Sequence, residues 1–224
     1  MAKDFNLQQV VDGYDVHIRK LIPAYELVHQ QIQAILDSVL EPEAHTLIIG
    51  CGTGYELNYL LAQCPTWTFT VTELSENMLH KARQQVEELR QSHRVNFVLG
   101  SHTEFEQTEQ FDAVLCILVT HFIEHAEKHK FLQKAYDLLK AKGIFLSFDL
   151  MQFNSELEKL VLPKFCEKNG LSKIQTKKMM QRLADDFHLI EQKDYERLLE
   201  DMGFQSVHCF TQILSYAAYW AMKD

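Results

Sequence analysis

The chain has 224 residues, 46% of them hydrophobic, and a formal charge of −9 at pH 7. That length favours one sizeable core over two, and the acidic balance argues against an extended nucleic-acid surface, because phosphate affinity rests on Lys and Arg displacing counterions. No apolar run reaches the roughly eighteen residues of a membrane span, and Met1-Ala2-Lys3-Asp4-Phe5-Asn6 lacks the basic-then-apolar order of a secretory leader; the expectation is a cytoplasmic protein.

In chain order, apolar residues at Leu27, Ile32, Ile35, Leu36 and Val39 predict an amphipathic helix from Pro23 to about Leu40, with Pro23 near its first turn. Short apolar runs at 45–49, 69–71, 95–99, 113–118 and 144–148 read as buried strands. Helical stretches at 55–62, 75–90 and 128–140 lie between them, the second with Ser75 as its N-cap. Gly143 is expected to stop the third helix before the next strand. Such alternation predicts a parallel sheet covered on both faces.

The pattern then breaks. Residues 151–188 read as two helices of mixed polarity, an insertion, before a helix at about 191–202 and strands at 204–210 and 213–221. The very short link between the last two strands requires antiparallel pairing. Five cysteines (Cys51, Cys64, Cys116, Cys166 and Cys209) show no C-x-x-C spacing and are odd in number. They read as reduced, mostly buried thiols and not as a disulfide framework or a zinc site.

The stretch Leu47-Ile48-Ile49-Gly50-Cys51-Gly52-Thr53-Gly54 holds three of the eight glycines. A glycine-rich turn between a buried strand and a helix lets a ligand approach the backbone, and the helix N-terminus offers unpaired N–H groups to an anionic or polar group. A dinucleotide fingerprint G-x-G-x-x-G would need its third glycine at Tyr55 or Leu57, so neither register fits. Glu73, ending the next strand, is placed to accept hydrogen bonds from both hydroxyls of a ribose.

This combination resembles the class I S-adenosylmethionine-dependent methyltransferases. Gly50, Gly52 and Gly54 match the family's glycines, and Glu73-Leu74-Ser75-Glu76-Asn77-Met78-Leu79 matches its ribose-binding acid and following helix. Phe111-Asp112-Ala113-Val114-Leu115 matches its fourth-strand motif, and Leu138-Leu139-Lys140-Ala141-Lys142-Gly143-Ile144 its helix-to-strand turn. The resemblance implies an α/β, Rossmann-like seven-stranded, mostly parallel sheet with an antiparallel C-terminal hairpin and a helical cap insertion. It also implies a single domain over residues 1–224, with 1–40 as a helical lid and 151–190 as the cap.

S-adenosyl-L-methionine is the implied cofactor. Its implied contacts are Gly50, Cys51, Gly52 and Gly54, then Glu73 and Leu74, then Ser101 and His102 where the family usually has an acid for the adenine amino group, and Ile117 after the fourth strand. The flanks resemble the branch containing carboxy-S-adenosylmethionine synthase, which serves wobble-uridine modification of transfer RNA. Ile22-Pro23-Ala24-Tyr25 is similar to that branch's V-P-G-Y, with Tyr25 where its tyrosine reaches the cofactor.

Besides Ser101, three positions depart from these patterns. Ile48 replaces the acid two places before the first glycine, Ile117 stands where the branch has asparagine, and Leu198 aligns with its carboxylate-holding arginine. Arg197 is one residue off, about 100° around a helix. These departures favour ordinary methyl transfer to a small molecule, with a carboxy-cofactor synthase as the alternative and a non-catalytic cofactor-binding regulator as a third reading.

Methyl transfer from a sulfonium is an in-line displacement, so placement and exclusion of water carry most of the task, and a base serves an oxygen or nitrogen acceptor. His121, just past the fourth strand, is the base candidate. His121, His125 and His129 share a helix face only if the whole stretch is helical, and no acid or thiol completes a ligand set, so no metal is expected. Tyr14, Arg19 and Tyr25 precede the core in the lid segment, where Arg19 could pair with the cofactor carboxylate. Phe153, Leu157, Leu160, Phe165 and Met179 of the insertion read as core, and Lys173, Lys177 and Lys178 as a solvated face. The expected partner is a small-molecule substrate with no membrane, and a homodimer is compatible with the chain.

Overall fold

The strand runs of the sequence pair edge to edge in the computed structural model, which describes Phe5 and residues 7–224. Residues 1–4 and 6, on which part of the leader reading and of the lid boundary rest, lie outside the described residues. Seven strands form one sheet: β1 (His45–Ile49), β2 (Thr68–Glu73), β3 (Val95–Leu99), β4 (Phe111–Ile117), β5 (Leu139–Leu150), β6 (Gln205–Ile213) and β7 (Tyr216–Met222), in the order β3-β2-β1-β4-β5-β7-β6. Pairings among the first five are parallel, and β7 lies antiparallel between β5 and β6. The chain runs outward from β1 through β2 to β3 and then returns to β4, so strand order reverses between β1 and β4. Open α/β sheets bind ligands beyond the carboxyl ends of the strands at such a switch point.

The helices are α1 (Gln8–Asp12), α2 (Tyr14–Leu21), α3 (Tyr25–Val39), α4 (Tyr55–Gln63), α5 (Glu76–Glu88), α6 (His125–Leu138), α7 (Glu156–Lys168), α8 (Lys173–Asp185) and α9 (Gln192–Asp201). Side chains alternate across β1, so Ile48 packs with α3 and α4 on one face while Leu47 and Ile49 pack with α6 and α9 on the other. Ile48 is fully buried there, which gives this departure from the family pattern a packing reason. Ser75 caps α5 by accepting the Met78 N–H, worth about 1 kcal/mol. A capping box of Ser172 and Gln175 opens α8. The insertion is the helical hairpin α7–α8, which caps the sheet end. No helix among the described residues is long and apolar enough to cross a membrane. Cys51, Cys64, Cys116 and Cys166 are buried free thiols, and Cys209 is exposed.

Two boundaries differ from the sequence reading. The hairpin link lies at 214–215 and not at 211–212, so Ile213 ends β6 and does not start β7. The third helix ends at Leu138 and β5 starts at once, so Gly143 lies inside the strand and does not stop a helix. Pairing jumps from Phe111↔Leu139 to Ala113↔Ile144, which leaves extra residues on β5 as a bulge, with Lys142 in the left-handed region. A Cβ at Gly143 would lie 2.9 Å from the Lys140 carbonyl oxygen.

Candidate cofactor and substrate cavities

A cavity of about 480 Å³ opens beyond the carboxyl ends of β1, β2 and β4, lined by Gly50, Gly52, Glu73, Leu74, Ser101, His102 and Ile117 among others. Its floor is fixed by backbone. The Gly50 and Cys51 N–H groups both donate to the Thr72 carbonyl, at 2.8 and 3.0 Å. Glu73 Oε2 accepts from Gly52 N–H at 2.9 Å, and Oε1 accepts from the Leu74 and Ser75 N–H groups, each at 2.9 Å. Three of the roughly four acceptor sites of a carboxylate are thus used, leaving Oε2 one for a ligand hydroxyl.

Gly54 has a different task from Gly50 and Gly52. It does not line the cavity; at φ 89° it starts α4, and a Cβ there would lie 3.0 Å from Ala82 Cβ on α5. Close packing of two helices, not ligand approach, excludes a side chain there. Cys51 is also outside the lining, with its thiol pushed well above the usual range by burial and then by Glu56 and Glu73.

At the far end of this cavity, His102 is fully buried. Its Nε2–H donates to the Phe131 carbonyl at 2.9 Å, and burial lowers its pKa to about 4, so the ring is neutral. Nδ1 is therefore an acceptor, and it has no partner among the described residues. That chemistry complements an exocyclic amino group, the role for which the family uses an acid.

Arg19 and Tyr25 are not in the cavity walls. Ala24, in the left-handed region at φ 52°, starts α3, and Tyr25 packs inward against His29 and Tyr55 at ring distances of 4.6 and 5.0 Å. Arg19 lies 4.7 Å over the Tyr55 ring and pairs with Glu26 at 2.9 Å. Tyr14 takes the place expected of Tyr25 and lines both this cavity and its neighbour.

That neighbour, about 380 Å³, shares Phe5, Tyr14, Leu118, Phe122 and Arg182 with the first, and continues between α2 and α8. Leu118, directly after β4, holds φ 59°, a strained value for a branched residue, at the junction of the two spaces. His121 lines the second cavity and is 6% exposed. Its Nδ1–H donates to Asp149 at the end of β5, leaving Nε2 as the basic nitrogen. The Thr120 N–H and hydroxyl donate to the other Asp149 oxygen. Burial pushes the Asp149 pKa up, but His121 and Thr120 outweigh it and hold the carboxyl below its usual range. Phe187 stacks on the His121 ring at 4.3 Å. Lys128 is buried beside this pair, donating to the Thr120 and Ile123 carbonyls, and burial lowers its pKa to about 8 despite Asp149.

His121 lies in a 3₁₀ turn at 120–122 and α6 starts only at His125, so the three histidines spaced by four do not share one helix face. Among the described residues no three potential ligands cluster as a metal site. Met179 lines the second cavity while also packing against the core. Lys178 borders it as well while staying exposed, as read from sequence. Asp149, Phe187 and Arg182 escaped the sequence reading. An acid inside the apolar run Phe145-Leu146-Ser147-Phe148-Asp149-Leu150 was the available signal for the first.

Comparison with known proteins agrees with this architecture. A family model described as a methyltransferase domain matches residues 47–145. The chain is 23% identical over 228 residues to the carboxy-S-adenosyl-L-methionine synthase of Campylobacter fetus, covering 100% of this chain and 96% of that protein. Among solved structures, phosphoethanolamine N-methyltransferase 2 of Haemonchus contortus superposes with a TM-score of 0.72 at 15% identity, covering 99% of this chain and 61% of that one. The 1,6-didemethyltoxoflavin-N1-methyltransferase of Burkholderia thailandensis does so at 0.66 and 19%, covering 95% and 82%. Some of the solved chains are longer, and this chain spans 60% of one from Nostoc punctiforme.

Proposed function

The chain belongs to the class I S-adenosylmethionine-dependent methyltransferase family, and from that premise we propose that it is a small-molecule enzyme that makes a carboxylated form of its cofactor, as the carboxy-S-adenosyl-L-methionine synthases do. The observation that carries this reading is the end-to-end match: synthases from several bacteria align over 96% or more of this chain. Single-residue departures favour ordinary methyl transfer, and a match through lid, sheet and cap outweighs them. The product would serve wobble-uridine modification, so RNA would be reached through the product and not through a surface of this acidic chain.

The cavities fit S-adenosyl-L-methionine. Glu73 would hold a ribose hydroxyl and the neutral His102 would accept from the adenine amino group. When bound, the cofactor would supply a sulfonium methyl group, whose carbon can lose a proton and bond a carboxyl carbon handed over by the second substrate. Leu118 and Phe122 would place that carbon at the junction, Phe5 and Tyr14 would exclude water, and His121, oriented by Asp149, would hold or take a proton on the substrate side.

Methyl transfer is the second reading, favoured by one specific observation. On α9, half-buried Leu198 packs against the core and Arg197 is exposed and paired with Asp194, and no α9 cation lines either cavity. Mass spectrometry of the nucleoside released from protein purified out of a host without its own carboxy-cofactor synthase separates the two. A species heavier than S-adenosylmethionine by one carboxyl group is expected. Unmodified S-adenosylmethionine or S-adenosylhomocysteine alone would contradict the proposal and favour methyl transfer.

A further inference from the structure

Resting on the proton-holding role given to His121, we propose that Lys128 is a positioning residue for that histidine: it fixes the turn that carries His121, and its buried charge balances Asp149, so that Nε2 stays free to take a proton.

Lysine is almost never fully buried unless it is paired. Lys128 is 2% exposed, yet among the described residues it makes no ion pair at contact distance. Its ammonium instead donates to the Thr120 and Ile123 carbonyls, which bracket His121. Thr120 faces both ways: its carbonyl accepts from Lys128, while its N–H and hydroxyl donate to Asp149. The His188 N–H donates to the His121 carbonyl at 2.8 Å, so the turn is held from α6, from β5 and from the segment after α8. Hydrogen bonds alone do not call for a lysine, because a neutral amide can serve two carbonyls. What lysine adds is charge.

The surroundings make that charge matter. Cys116 on β4, Tyr195 on α9 and Tyr216 on β7 are all pushed up by burial and stay neutral. Glu124 and Glu127, on the side of α6, are exposed to solvent. Across the cavity stand His17, Lys178 and Arg182, the last paired with Asp186, and these cations disfavour a further positive charge. Asp149, Lys128 and the His121 ring are left to balance one another. Lys128, lowered by burial to about 8 against the pull of Asp149, is still charged at neutral pH. With that charge in place, Asp149 needs no second cation, and His121 keeps one proton on Nδ1. Without it, Asp149 would draw a second proton onto the ring, at Nε2, and the base would be spent.

The test is nitrogen-15 NMR of histidine side chains in the full chain across a pH titration, with the His121 ring assigned by the signals lost in His121→Gln. The wild-type ring is expected to be singly protonated at neutral pH, on Nδ1. Lys128→Gln keeps donors for both carbonyls and removes the charge; its His121 should bind the second proton roughly tenfold more tightly, a shift of about one pH unit. Lys128→Arg should restore the wild-type titration. A doubly protonated wild-type ring at neutral pH overturns the proposal, and that measurement needs no variant to fold. So does a titration that Lys128→Gln leaves in place, or one that Lys128→Arg moves as far as Lys128→Gln. Failure of the wild-type chain to bind S-adenosylhomocysteine, with these titrations as expected, overturns the functional reading and leaves the charge balance standing.

Discussion

The two cavities share a wall but are built from different material. The first is made of strand ends and the backbone that follows them: Glu73 is clamped by three N–H groups, and the glycine turn is tied to Thr72. The second is made of side chains brought from α2, the 120–122 turn, α8 and β7. A backbone site demands glycine and an acid at fixed spacing, so it leaves a mark in the sequence. A side-chain cavity demands only that the right groups meet after folding, and leaves almost none.

The difference can be broken from either side. The largest effect is expected from Asp149→Ala, which removes the acceptor for His121, Thr120 and the Leu150 N–H and strands buried His121 and Lys128. Breaking a buried, hydrogen-bonded pair costs about 3–5 kcal/mol, measurable by urea denaturation. A loss below about 1 kcal/mol would mean that the second cavity does not depend on this side-chain network.

Next comes Gly54→Val on the backbone side. A left-handed φ with a Cβ 3.0 Å from Ala82 should cost about 2–4 kcal/mol. It should weaken cofactor binding through the shifted turn while the imidazole NMR signals of His121, held by Asp149 in the second cavity, stay as in the wild type. Displacement of those signals as well would contradict the separate construction of the two cavities.

The smallest effect is a pH dependence behind the glycine turn. Burial pushes the Glu56 pKa up to about 8, against a backbone N–H that lowers it and with Glu73 and Asp15 adding to the rise. The folded chain then holds a proton there that the unfolded chain has released, so stability falls as pH rises from the ordinary carboxyl range through about 8. Glu56→Gln should lack this slope. Its melting temperature should exceed that of the wild type by a few degrees at about pH 9 and match it more closely at about pH 5. Parallel profiles would place Glu56 in contact with water.

The same contrast explains what was legible in the sequence. Periodicity gave the parallel strands, the hairpin and the inserted helices because burial on one or two faces dictates each pattern. The place of Glu73 beside the glycine turn was legible because a strand end fixes where its carboxylate goes. Tyr25 was misplaced because the left-handed Ala24 rotates the start of α3, which apolar spacing does not encode. Gly143 was assigned to a helix stop because a glycine at a bulge and a glycine after a helix look alike in one dimension. Lys178 is exposed, as its spacing read, but spacing alone does not tell that it also borders a cavity.

Calorimetric titration of S-adenosylmethionine and S-adenosylhomocysteine into the full chain tests most directly whether the glycine turn and Glu73 form a nucleoside site. Saturable one-to-one binding is expected, weakened by roughly 30- to 100-fold in Glu73→Ala, or about 2–3 kcal/mol for hydrogen bonds to a charged group. Absence of binding by the wild-type chain, or unchanged affinity in Glu73→Ala, would contradict it.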